Sequence, residues 1–146
     1  MTFALDSSVM VAAVCGWHEH HDMAAAAIDR RLGDGRRLMT PVHAITETYA
    51  VLTRLPAPHR LAPGDAWALV SANFVEGGSV IGLPVDGHMA MLRDLAASGL
   101  GGGRTYDALI VTTAIQSGVE ELLTFNSRHF EQANADLEIV GLLTSS

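Results

Sequence analysis

Phe3-Ala4-Leu5-Asp6-Ser7-Ser8-Val9 is the stretch whose reading decides the fold. An apolar run too short for a helix ends in an acid, and a helical run, Val9 to Val14, follows at once. That is a buried strand feeding a helix. The same unit recurs along the chain. A second helical run, Asp22 to Leu32, is separated from the first by a break near Gly16 and is stopped by Gly33-Asp34-Gly35. Leu38-Met39 reads as the second strand, with Thr40 as N-cap and Pro41 as first residue of the next helix. Pro56-Ala57-Pro58 ends that helix, and Pro63 opens another that runs to about Glu76. Val80 to Leu83 is the third strand, and a helix from about Asp86 to Ala97 follows it. After the glycine run Gly99 to Gly103, Thr105 caps a helix that ends at Gly118. Leu122 to Phe125 is the fourth strand and Leu137 to Val140 a fifth. Alternating strands and helices predict an α/β fold in three layers, a central parallel sheet of four to five strands with helices on both faces. Neither a repeat nor a boundary divides residues 1–146, so one domain is expected.

Three carboxylates stand where such a fold concentrates chemistry. In open parallel sheets, ligands bind beyond the carboxyl ends of the strands. Asp6 ends the first strand there. Asp107 lies in the first turn of its helix, and Ile110, Val111 and Ala114 follow at i+3, i+4 and i+7, which puts the acid on the buried stripe. Glu47 lies about 9 Å along its helix, counted from Pro41 at 1.5 Å per residue. Helical side chains lean toward the N-terminus, so a glutamate can reach back to the strand ends. Burying unpaired carboxylates is costly, and three converging acids predict a pocket for a divalent cation. Each acid also has a plainer role: Asp6 as a helix cap, Asp107 beside a helix dipole, and Glu47 paired with His43 at i−4.

Composition narrows the field. The apolar content is 49% and the net charge −7, a balance unlike that of most nucleic-acid binders unless a bound cation inverts the local field. All nine basic residues are arginine. Without lysine, a Walker A phosphate loop and Schiff-base catalysis are excluded. Cys15 stands alone, which rules out an intrachain disulfide and suits a reducing compartment. The expected location is the cytoplasm, since neither a leader pattern nor a membrane-length apolar run is visible.

Four segments carry a family resemblance: Asp6-Ser7-Ser8-Val9, Glu47-Thr48-Tyr49-Ala50-Val51-Leu52, Tyr106-Asp107-Ala108-Leu109-Ile110 and Leu123-Thr124-Phe125-Asn126-Ser127-Arg128-His129-Phe130. In this order the chain resembles the PIN-domain ribonucleases, specifically the VapC-type toxins of bacterial toxin–antitoxin pairs. The resemblance implies a PIN-like fold and a Mg²⁺- or Mn²⁺-dependent endoribonuclease that hydrolyses RNA phosphodiesters in line. Asp6, Glu47 and Asp107 match the family's acidic metal-binding positions, and Asn126 its fourth. Asparagine lacks the charge, so one metal or two stays open. Ser8 and Thr124 are expected to support the ligands. Arg104 and Arg128 flank the site segments and are candidates for phosphate contact. The family implies a homodimer and a small antitoxin that blocks the acidic site.

Other readings remain. A PIN domain degenerate at Asn126 would bind RNA or a protein without cutting. A receiver or haloacid-type phosphatase would want a second acid near Asp6 and a late lysine, but Ser8 and the absence of lysine speak against it. Met89, Met91 and Leu92 read as core and interface packing. The run Arg30, Arg31, Arg36, Arg37 is either an RNA contact or a solvated helix end. His18, Glu19, His20, His21 and Asp22 have the look of a zinc cluster but lack a second ligand group, so a polar helix start is the default.

Overall fold

The structure, a computed structural model, describes residues 1–130 and 136–143. Five strands form one parallel sheet: β1 (Thr2–Leu5), β2 (Arg37–Pro41), β3 (Ser79–Ile81), β4 (Glu121–Thr124) and β5 (Glu138–Gly141). Their order across the sheet is β3-β2-β1-β4-β5. The central strands read as near-continuous apolar runs because both faces are covered; Phe3, Ala4, Leu5, Leu122 and Leu123 are fully buried.

Six α-helices connect the strands: α1 (Ser7–Val14), α2 (His21–Gly33), α3 (Val42–Arg54), α4 (Pro63–Val70), α5 (Val85–Ala97) and α6 (Arg104–Gln116). A single π-helical turn, Ser71–Val75, extends α4. The first four helices pack in the order α2-α1-α3-α4, and α5 packs on α6. The strand order reverses between β1 and β4. The chain moves outward from β1 through β2 to β3, then returns to β4 on the other side of β1. A crevice therefore opens beyond the carboxyl ends of β1 and β4, the usual ligand position in such sheets.

The fold differs from the sequence reading in its caps. Thr40 is a strand residue, fully buried, with its hydroxyl donating to the Phe74 carbonyl at 3.1 Å. Pro41 is extended (φ −60°, ψ 130°) and serves as N-cap of α3, so the helix begins at Val42, one residue after the expected start. Thr105 is no cap either. Gly103 precedes Arg104 at the start of α6 with helical backbone, and no side chain caps that end.

The basic run is divided by the fold. Arg31 is buried and donates through Nε to Glu121 at 3.2 Å, while Arg36 also binds Glu121. Arg37 donates to the Ser79 hydroxyl at 3.0 Å. Glu121 opens β4 and Arg37 opens β2, so these three arginines serve the amino edge of the sheet, away from the crevice.

Candidate functional site

Asp6 sits at the C-terminal end of β1 with its residue 4% exposed, and it caps α1 by accepting from the Val9 N–H at 3.1 Å. Two hydroxyls hold the rest of the carboxylate. Ser8 donates to Oδ1 at 2.6 Å, and Thr124, at the end of β4, donates to Oδ2. Each hydroxyl is itself oriented: Ser8 accepts from the Phe125 N–H at 3.3 Å and Thr124 from the Asn126 N–H at 2.9 Å. Asp6 is therefore both a cap and a site acid, fixed in one rotamer by β1, α1 and β4.

Glu47 and Asp107 approach from α3 and α6. Burial pushes Asp6 up from the ordinary carboxylate range; the hydrogen bonds from Ser8, Thr124 and Val9 oppose this, and the charge of Asp107 adds to it. Burial likewise raises Glu47, against the pull of His43 and a hydrogen bond from Ser7, with Asp107 and Asp6 repelling it further. Asp107 is raised by burial and partly restored by His129 and Arg104. The three acids thus share one electrostatic neighbourhood, each harder to ionise than in water. His43 Nε2 lies 2.9 Å from Glu47, the i−4 pairing anticipated in the sequence, and its ring stacks on Tyr106 at 5.2 Å. His129 Nδ1 lies 3.7 Å from Asp107.

Arg104 and Arg128 line the same cleft as Asp107, about 230 Å³ in volume, with His129 between α6 and the turn Ser127–Phe130. Asn126 does not enter that cleft. It is exposed at the rim of a second one, beside Ser7 and Ser8. Residues without an assigned role in the sequence reading are Ser7, Tyr106 and His129. His129 was within reach of sequence reasoning, three residues beyond Asn126, but only the short turn of Ser127–Phe130 aims it back at Asp107.

This arrangement has known counterparts. The family described as PIN domain matches residues 3–135. The chain belongs to the PIN-domain family. Ribonuclease VapC40 of Mycobacterium tuberculosis is 37% identical over 140 residues, covering 94% of this chain and 98% of that protein. Ribonuclease VapC27 of the same organism is 32% identical over 127 residues, covering 80% of each. Among solved structures, VapBC2 from Rickettsia felis bound to a promoter DNA fragment superposes with a TM-score of 0.69 at 16% identity, covering 97% of this chain and 98% of that one. The relatives make this a PIN domain of the VapC type, and the solved structure bears out the fold.

The donors of this PIN domain suit a hard divalent cation, since all three acids offer oxygen and their mutual repulsion is relieved by positive charge. The match is one of chemistry and charge. Among the described residues, no three His, Cys, Asp or Glu side chains stand close enough to hold a metal ion as they are. No such group forms at His18 to Asp22 either, where the His18 and His20 rings meet at a tilt and His20 stacks on Phe125.

Proposed function

We propose that this PIN domain is a metal-dependent endoribonuclease and the toxin of a VapC-type toxin–antitoxin pair. The observation that carries the reading is Asp6, buried at the switch point of a parallel sheet and held by two oriented hydroxyls, with Glu47 and Asp107 repelling one another beside it. Kinship with the ribonucleases VapC40 and VapC27 supports it.

In this reading Asp6, Glu47 and Asp107 hold Mg²⁺ or Mn²⁺, and Ser8 and Thr124 keep Asp6 ionised and aimed. A divalent cation bound there supplies a more acidic water as nucleophile and neutralises charge on the phosphodiester. Arg104 and Arg128 grip the phosphate from the Asp107 side of the cleft. Asn126 offers a neutral amide at the far rim, where it orients water or substrate without adding a fourth negative charge. The partners are an RNA substrate and a small antitoxin whose basic side chains match the −7 chain. The apolar row Val85, Met89 and Leu92, exposed on α5, supports a homodimer; Met91, by contrast, is buried. No helix among the described residues is long and apolar enough to cross a membrane.

The test is cleavage of a structured RNA pool by the antitoxin-free protein with Mn²⁺, Mg²⁺ or EDTA. Metal-dependent cutting abolished in both Asp6→Asn and Asp107→Asn is the expected result. RNA binding without cutting, unchanged in Asp6→Asn, would favour instead a domain that only binds.

A further inference from the structure

Five rings run in an unbroken series from the edge of the acidic site across the surface of α1 and α2. Phe125, next to Thr124, stacks on His20 at 5.0 Å. His20 meets His18 at 5.7 Å, His18 meets Trp17 at 5.9 Å, and Trp17 stacks on His59 at 4.1 Å. Four of the five come from the turn between α1 and α2 or from the segment after β4; Phe125 also packs against the core, whereas Trp17 does not. Trp17 is 49% exposed although one of its faces rests on His59.

The turn that presents them is built, not loose. His18 N–H donates to the Cys15 carbonyl at 2.9 Å and His21 N–H to the His18 carbonyl at 3.0 Å. The His18 ring accepts from the His20 N–H at 3.0 Å through Nδ1, which fixes its tautomer with the proton on Nε2. His21 Nδ1 lies 2.9 Å from the Ala12 carbonyl, tying the turn to α1. The series borders an open cleft of about 410 Å³ whose wall includes His18, His20, Phe125, Asn126 and Ser8, the residue that holds Asp6.

We infer that this ring series is a stacking track for the bases of single-stranded RNA, delivering the strand to the acidic site. The inference rests on the nuclease reading above and names the substrate's conformation: unpaired nucleotides flanking the cut. Bases of every kind have a π-face, and single-stranded nucleic acid is commonly held by successive aromatic platforms. The cleft selects bases rather than phosphates, since its lining includes Glu19 and no arginine, whereas Arg104 and Arg128 border the other cleft. Ser8 and Asn126 share its wall, so an RNA strand seated there lies beside the residue that holds Asp6, which favours RNA over a protein segment as the occupant.

Trp67→Phe leaves Trp17 as the sole tryptophan and so as the reporter. Its emission is titrated with a short single-stranded RNA in EDTA, and affinity, read from the fluorescence anisotropy of the labelled RNA, and Mn²⁺-dependent cleavage are measured for Trp17→Phe, Trp17→Ala and His20→Ala. Expected are quenching of Trp17 and on the order of 10-fold weaker binding for each alanine variant. KM for the short RNA should rise with kcat held, while a dinucleotide substrate is cut at an unchanged rate. Unaltered affinity and KM in both alanine variants, with the wild type still cutting, overturns the track and leaves the nuclease standing. Quenching and weakened binding in a protein that never cuts supports the track and overturns the nuclease. Trp17 emission moved by a basic peptide and not by RNA overturns the track in favour of a protein groove.

Discussion

Thr124 joins the two strands that flank the crevice: its hydroxyl donates to Asp6 and accepts from the Asn126 N–H. Thr124→Val keeps the shape and removes both bonds. Mn²⁺ affinity and kcat/KM should fall about 10–100-fold, with a stability loss of about 1 kcal/mol, measured by metal titration and thermal melting. The acids themselves oppose folding in the absence of metal. Asp6, Glu47 and Asp107 are all raised above their ordinary values, chiefly by burial. The folded chain therefore binds more protons than the unfolded one across that window, and stability falls as pH rises from the ordinary carboxylate range through the raised values. Asp107→Asn, which carries no such penalty, should melt a few degrees higher than wild type at pH 7 in EDTA. The two should converge in acid. Millimolar Mn²⁺ should then raise the wild-type Tm through linkage and leave Asp107→Asn behind; a wild-type melt indifferent to Mn²⁺ would contradict a metal pocket at these residues.

Helix α3 starts at Val42, so Glu47 stands about 7.5 Å along its axis at 1.5 Å per residue. The extra methylene of glutamate is what spans this distance back to the strand ends. Glu47→Asp keeps the charge and shortens the reach, and should lower kcat/KM nearly as far as Glu47→Gln does; full activity in the aspartate variant would show that α3 contributes no ligand. The elements at the other edge of the sheet carry a different load. Burial alone would lift Glu121, but hydrogen bonds and charge from Arg31 and Arg36 outweigh it and hold its carboxyl below the usual range. Its contribution is thus present above the ordinary glutamate pKa and lost as pH falls through the lowered folded value. Glu121→Gln, which leaves buried Arg31 without a counter-charge, should cost about 3 kcal/mol at pH 7 and less in acid, read by urea unfolding at both pH values.

At the scale of the whole molecule, the sheet and its helices were legible because their signals are local: an apolar run of a few residues, a glycine stop, a 3.6-residue stripe. The positions of Asp6 and Asp107 in the fold were legible for the same reason, since both sit at fixed offsets from those runs. The caps at Thr40 and Thr105 misread because tertiary demands won: Thr40 was claimed by the Phe74 carbonyl, and helix α6 begins two residues early, straight from the glycine run. The arginine run was opaque because its partner is far away in sequence; Arg31 and Glu121 are 90 residues apart. The ring series was opaque too, since nothing in the order Trp17, His18, His20, His59, Phe125 says that they touch. That remote ion cluster has a genetic consequence. If expression of this chain halts growth, a selection for surviving cells will recover lesions at Glu121 and Arg31 beside those at Asp6. The first kind should vanish from the soluble fraction or be rescued at low temperature, while the second accumulates as intact, inert protein.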